Sequence, residues 1–473
     1  TEHLIGMNGS SYKNGFIIIA WEVTSALALI LTAVYFVPKY LKMGLTTIPQ
    51  FLENRFDGFT RSLVAFFLMI SFIVTLLPIV LYTGAINLES IFNVSELLEV
   101  SQRQGMNYTI WAIGLIGSLY AIFGGLKAVA VSDTLNGYGL LVGGLAIPLM
   151  ALVSIGGGNP FEGLVKVYEN VPEKFNVIGA SDSVMPFEVL FTGLIINQIY
   201  FWCMNQMIIQ RALGAKNLKE AQKGLLFTGL LKILVPLIII LPGVIGYYHY
   251  GELFYDRQDM IYPQLIKKIL PAGLVGVFAA IVMGAVLSTF NSVLNSAATI
   301  FSIDLYQRHF RSELGDVQLV RVGKVTSALL ALFAIGVAPM VANAPDGLYQ
   351  LLQQLNGIFF IPIASIMLAG FFLPKISALA AKVALFVGLA FYIGCTFVFE
   401  VDLHFVHIWG IEFLLNMTVM LVISHFVPKE KAFKIKDLHV VEMTGWKYTR
   451  GFSVFLVVAT LLIYVLMGNF SAY

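Results

Sequence analysis

Charge is scarce in this sequence. Only 12% of its 473 residues are Asp, Glu, Lys or Arg, against about 25% in an average soluble domain, and the mean hydropathy is +0.84. Too few charged side chains are present to cover an ordinary soluble globule, so the composition is that of a membrane protein. No long basic or acidic run exists, and a nucleic-acid partner therefore has no electrostatic footprint. Cysteine is nearly absent as well. Cys203 and Cys395 both lie in apolar stretches, where a thiol behaves as a small hydrophobe, and neither a disulfide framework nor a metal cluster is implied. No phosphate-binding loop, zinc spacing, Ser–His–Asp order or haem pattern appears. ATP-driven transport and enzymatic chemistry are left without support.

Long apolar runs are what the sequence has instead. Runs able to cross a bilayer, which takes about 20 residues, lie near 16–37, 62–88, 109–126, 134–155, 186–208 and 224–248. Six more lie near 272–300, 325–344, 348–372, 379–399, 408–427 and 451–470. The opening TEHLIGMNGSSYKNG has neither an initiator methionine nor a signal peptide; it reads as the remainder of a transmembrane helix. With spans assigned this way, alternate loops carry 21 and 7 basic residues, and Lys232 is the one left over. Cytoplasmic loops hold the excess of Lys and Arg, so the richer side is read as cytoplasmic and the carboxy terminus as extracellular or periplasmic. The expectation is one multi-pass domain, 1–473, in a plasma membrane, for a bacterium the inner membrane, with the lipid bilayer as a partner.

Ionisable residues inside spans mark solute, ion or proton paths. Glu2 and His3 in the opening fragment, Glu22 in the first full span and Lys232 in LLFTGLLKILVPLIIILPGVIGYY are such residues. Two readings of Lys232 fit: a permanent ion pair with Glu22 that locks two helices, or a lysine and glutamate facing a cavity where they donate to and accept from a polyhydroxylated solute. His3 reads either as a satisfied core histidine or as part of an interrupted helix, which the neighbouring GMNG and GSS favour. In FAAIVMGAVLSTFNSVLNSAATIF, Ala285, Ser288 and Thr289 share one helix face. Their oxygens suit a hard monovalent cation such as sodium, although such hydroxyls also bond their own helix. Gln353 suits a sugar hydroxyl or an interhelical bond. Tyr200, Phe201 and Trp202 suit stacking on a pyranose or anchoring at the membrane surface.

The segments YAIFGGLKAVAVSD (120–133), WCMNQMIIQRALGAKNLKEAQKG (202–224) and STFNSVLNSAATIFSIDLY (288–306) resemble the sodium/solute symporter family, within it the sodium–glucose and sodium–galactose cotransporters. The nearest form, through LKILVP and LPG, is the bacterial sodium/galactose symporter. The resemblance covers essentially the whole chain. It implies an all-α integral membrane protein of LeuT-type fold, with two inverted five-helix repeats and extra C-terminal helices. The first repeat spans 1–155 and is truncated at its start, the second spans 185–373, and three additional helices lie within 379–470. The family's N-terminal helix and the inner half of its first core helix are missing from this chain.

Carried over residue by residue, the resemblance implies a sodium site at the Ala285 carbonyl and the Ser288 and Thr289 hydroxyls. Thr289 stands where relatives have serine. It implies sugar contacts from His3, Glu22, Ser25, Lys232 and Gln353, with Gln198 and Glu2 as further candidates. His3 replaces the glutamine of the bacterial galactose relative but matches animal glucose cotransporters. Phe201 replaces a tyrosine on the cytoplasmic side of the sugar, and Met7, Trp21 and Tyr349 match the outer gate. Asp133 matches a family aspartate read as ion-coupling. The function implied is symport of a hexose, galactose or glucose, with sodium as the coupling ion. The rivals are a same-fold symporter of inositol, sialic acid or proline, and a non-transporting sugar sensor.

Overall fold

The structure, a computed structural model, describes residues 3–343, 348–429 and 432–472, with the side chains of 125–130, 342, 343 and 472 outside it. Among the described residues every regular element is helical. A bilayer offers no water to unpaired backbone groups, so each apolar run must close its own hydrogen bonds.

Among the described residues eleven helices are long and apolar enough to cross a membrane, and a shorter apolar helix joins them. His3–Lys42, the first of the eleven, divides at Gly15 into α1 (3–14) and α2 (15–42). There follow α3 (Gly58–Phe92), α4 (Gln102–Gly124), α5 (Val131–Ile155), the short α6 (Gly193–Met204), α7 (Leu218–Tyr250) and α8 (Ala272–Gln307). The series ends with α9 (Asp316–Val341), α10 (Leu348–Phe372), α11 (Ala378–Val398), α12 (Phe405–Phe426) and α13 (Thr449–Met467). They follow the opening fragment and the expected apolar runs, except that α6 is too short to count among the helices able to cross a membrane.

Backbone from Gln102 to Ile155 is helical throughout, yet α4 and α5 pack as two crossings. Gly117 faces Leu287 and Phe290 of α8, while Gly139 and Gly143 face Ile281 and Phe278. In one straight helix Gly117 and Gly139 would stand about 33 Å apart, but their partners on α8 are separated by roughly 9 to 14 Å. The helix therefore bends between these contacts, and both stretches pack on the same neighbour.

Two interruptions position the site. At Gly15 the backbone turns to φ 73°, ψ −152°; a Cβ there would sit 2.4 Å from the Lys174 carbonyl oxygen, so only glycine fits. Lys174 Nζ in turn donates to Lys13 O at 2.6 Å, pinning the outer loop to the end of α1. The expected span 186–208 is the second interruption, and the structure corrects it. Asn205 adopts extended backbone, φ −71°, ψ 123°, and its side chain accepts from Met207 N at 2.9 Å to start a new helix, Gln206–Leu213. The last turn of α6, Tyr200–Met204, and the first of α1, His3–Met7, are wide π turns, a geometry frequent at functional sites.

Burial separates core from cover. In α10, 72% of the most apolar window is buried, against 11% in α13, so α13 lies at the periphery while α10 runs through the middle. Cys203 is buried and Cys395 half-buried, both as free thiols.

Candidate functional site

α1, α2, α6, α7 and α10 enclose a narrow cavity of about 30 Å³. His3, Trp21, Glu22, Ser25, Gln198, Phe201, Lys232, Tyr349 and Gln353 all line it. The sequence thus brings together nine of its expected solute and gate residues from five helices. Met7 is fully buried one turn beyond His3 and is not part of this lining. Glu2 lies outside the described residues.

Lys232 Nζ donates to Glu22 Oε2 at 2.5 Å, and His3 Nε2 is 3.7 Å from Glu22 Oε1. Glu22 is 1% exposed and Lys232 16%, so both charges are largely out of water and compensate each other. The ammonium also sits 4.9 Å from the centre of the Trp202 ring, within cation–π range. The cavity therefore offers separated donor and acceptor poles with no net charge from this pair.

Amides surround the pair. Gln198 Nε2 donates to Trp21 O at 2.8 Å and to Thr24 Oγ1 at 3.1 Å, while its Oε1 accepts from Ser25 Oγ and Trp202 Nε1, both at 3.0 Å. The Gln198 amide is fully occupied in tying α6 to α2. Gln353 Nε2 donates to the Tyr349 hydroxyl at 3.0 Å. Asn197 and Asn356 also line the cavity, and the side-chain oxygen of each is buried without a hydrogen-bond donor among the described residues. The sequence reading missed both. Asn356 could have been found, since it follows Gln353 at i+3 and shares its helix face; Asn197 carries no comparable signal.

Aromatic rings close one end. Trp21 meets Tyr349 edge to face at 5.8 Å, His3 meets Tyr349 at 5.3 Å, and Trp21 meets Trp409 of α12 at 6.2 Å. Phe201 and Phe360, 6.4 Å apart, line another part of the wall.

Ala285, Ser288 and Thr289 lie on α8 and take no part in this lining. Thr289 Oγ1 donates to Ala285 O at 3.1 Å, and Ser292 Oγ donates to Ser288 O at 2.6 Å. Asp133 connects to the same helix through one residue: Arg211 Nη2 donates to Asp133 Oδ2 at 2.6 Å and to Ser292 Oγ at 2.5 Å. Arg211 was not among the expected residues, because only the tertiary fold brings Gln206–Leu213 between α5 and α8.

Residues 1–388 match the family model described as "Sodium:solute symporter family". Symporter YidK of Escherichia coli (strain K12) is 43% identical over 473 residues, 100% of this chain and 82% of its own. The sodium/glucose cotransporter of Vibrio parahaemolyticus is 33% identical over 82% of this chain and 74% of its own. A solved Na+-coupled sialic acid symporter, in a substrate-bound outward-open state, superposes with a TM-score of 0.76 over 92% of this chain and 88% of its own, at 19% identity. The last likeness is one of fold. The chain belongs to the sodium:solute symporter family, a family of transporters rather than enzymes.

Proposed function

We propose that this symporter carries a hexose, galactose or glucose, into the cell by alternating access, driven by sodium. The observation that carries the reading is the Glu22–Lys232 pair, held at 2.5 Å inside a cavity lined by His3, Gln353, Asn197 and Asn356. Charged and neutral groups of both hydrogen-bonding senses converge there, matching the alternating donors and acceptors of a polyhydroxylated ring. Trp21 and Tyr349 form the outer gate and Phe201 shields the solute from the inner side.

Sodium binds at the Ala285 carbonyl and the Ser288 and Thr289 hydroxyls on α8. Asp133, reaching that helix through Arg211 and Ser292, serves ion coupling. Residues 1–155 and 185–373 act as inverted repeats that rock about the cavity, and the lysine- and arginine-rich loops face the cytoplasm. Coupling requires that sodium bind the outward-open form more tightly than the inward-open one.

Uptake of labelled galactose and glucose into proteoliposomes, with an inward sodium gradient and then with potassium in its place, tests the proposal. Accumulation only with the sodium gradient supports hexose symport and ranks the two sugars. Binding without accumulation points to a sensor. Binding of neither sugar rejects the hexose and turns the assay to inositol, sialic acid and proline.

A further inference from the structure

Four acidic side chains are buried within spanning helices among the described residues: Glu22, Glu89, Asp304 and Glu412. Three have partners. Glu22 meets Lys232, Asp304 accepts from Arg61 and from Thr47 Oγ1, and Glu89 accepts from Ser95 N. Glu412 on α12 is 0% exposed, and neither carboxyl oxygen receives a hydrogen bond or faces a cation. It lies within about 5 Å, along the axis, of the midpoint of Phe405–Phe426, near the centre of the bilayer. A bare carboxylate at that depth is strongly disfavoured.

The surroundings are polar and uncharged. Asn416 follows one turn later on the same face of α12, with its Oδ1 also lacking a donor among the described residues, and the Thr396 hydroxyl of α11 lies beside Tyr392. Cys395 and Tyr392 of α11 are the titratable groups beside Glu412; the faces of α6 and α10 packed on α12 bring none against it among the described residues. No basic side chain is available to neutralise the group.

One turn before Glu412 stands Trp409. Its indole packs on the gate residue Trp21 at 6.2 Å and presses so closely on α10 that a Cβ at Gly357 would meet its Nε1 at 2.0 Å. Gly357 lies one turn beyond Gln353, and the Tyr392 ring meets the same glycine. Glu412 and Trp409 thus share one buried face of α12, three residues apart, and Trp409 packs from there onto α10 and Trp21.

We propose that Glu412 is a proton-binding site of this transporter, and that its occupancy sets the position of Trp409 and through it the outer gate. The bound proton, taken from water, leaves a neutral carboxylic acid on that face. Its loss leaves a charge that the packing between α11 and α12 has nothing to oppose, and Trp409 moves with the face that carries it. The proposal is independent of which solute is carried.

Difference infrared spectroscopy of the full chain in lipid reads the proton directly. The expected result is a carboxylic-acid carbonyl band near neutral pH that vanishes in Glu412→Gln and shifts in Glu412→Asp. The second variant keeps the assignment testable if the first folds poorly. The same band in wild type and both variants, or its replacement by a carboxylate band that responds to sodium, overturns the proposal. Solute-uptake profiles test the link to the gate. Wild-type uptake should fall severalfold on the alkaline side while Glu412→Gln stays flat there, and superimposable profiles would reject the link.

Discussion

Lys232 Nζ and Glu22 Oε2, 210 positions apart in sequence, lie 2.5 Å apart across α7 and α2. Removing one member of such a pair leaves the other charge without its counter-ion, which in buried pairs costs about 3 to 5 kcal/mol; the 16% exposure of Lys232 puts this one at the low end. Lys232→Ala is expected to abolish solute uptake while the protein still folds with a lowered Tm. The double variant Lys232→Ala/Glu22→Gln should regain most of the lost Tm and none of the uptake. Normal transport by the single variant would remove the pair from the solute site.

Ser288→Ala should raise the sodium concentration needed for half-maximal uptake by about tenfold, the equivalent of one hydrogen-bond-sized contribution of roughly 1.4 kcal/mol. Thr289→Ser, which keeps the oxygen, should leave it near the wild-type value. Sodium titration of uptake separates the two, and an unchanged requirement in Ser288→Ala would take that hydroxyl out of the ion site.

Asn356 offers the cavity a buried carbonyl oxygen with no protein donor. Asn356→Leu keeps the branching and the number of side-chain heavy atoms and has no polar group. It should raise the KM for the transported solute about tenfold, the worth of one hydrogen bond, with little change in Tm. A drop in Tm without a change in KM would make Asn356 a packing residue.

Gly15→Ala should destabilise the outer end of α1. The residue sits at φ 73°, ψ −152°, a region essentially reserved for glycine, and a Cβ would stand 2.4 Å from Lys174 O, so backbone strain of about 1 to 3 kcal/mol adds to a clash with backbone. A thermal melt of purified protein should show the loss, and Gly273→Ala, where a Cβ meets nothing within 4 Å, serves as the control.

Asp259 lies in the loop between α7 and α8, accepts from Leu348 N at the start of α10, and is pushed up by burial to about 6. An acid held above its ordinary value of 3.8 stabilises the fold fully below that value and loses this contribution as pH rises to about 6. Wild type should therefore lose more Tm than Asp259→Asn between about pH 4 and pH 6. Parallel pH–Tm curves would show that the Asp259 proton plays no part.

Much of the architecture was legible because bilayer physics writes itself into composition. An apolar run of sufficient length has one stable conformation in lipid, so the spans from α2 to α13 other than α6 could be counted from hydropathy alone. The ionisable groups His3, Glu22 and Lys232 were conspicuous for the same reason: each is an exception in an apolar run and demands a partner. The break at Asn205 inside α6 was not legible, since a single asparagine in a span can equally cap, break or face a neighbour.

The sequence by itself determined that the chain is a bundle of membrane helices with a few expensive polar groups inside it, because the cost of charge in hydrocarbon leaves a local signal. Only the tertiary structure decided which of those groups meet. Gln198 spends its whole amide on α2 and α6, Arg211 reaches both Asp133 and Ser292, and Glu412 finds no hydrogen-bond partner among the described residues. Such pairings depend on how helices far apart in the chain pack side by side, and no local property of the residues encodes that.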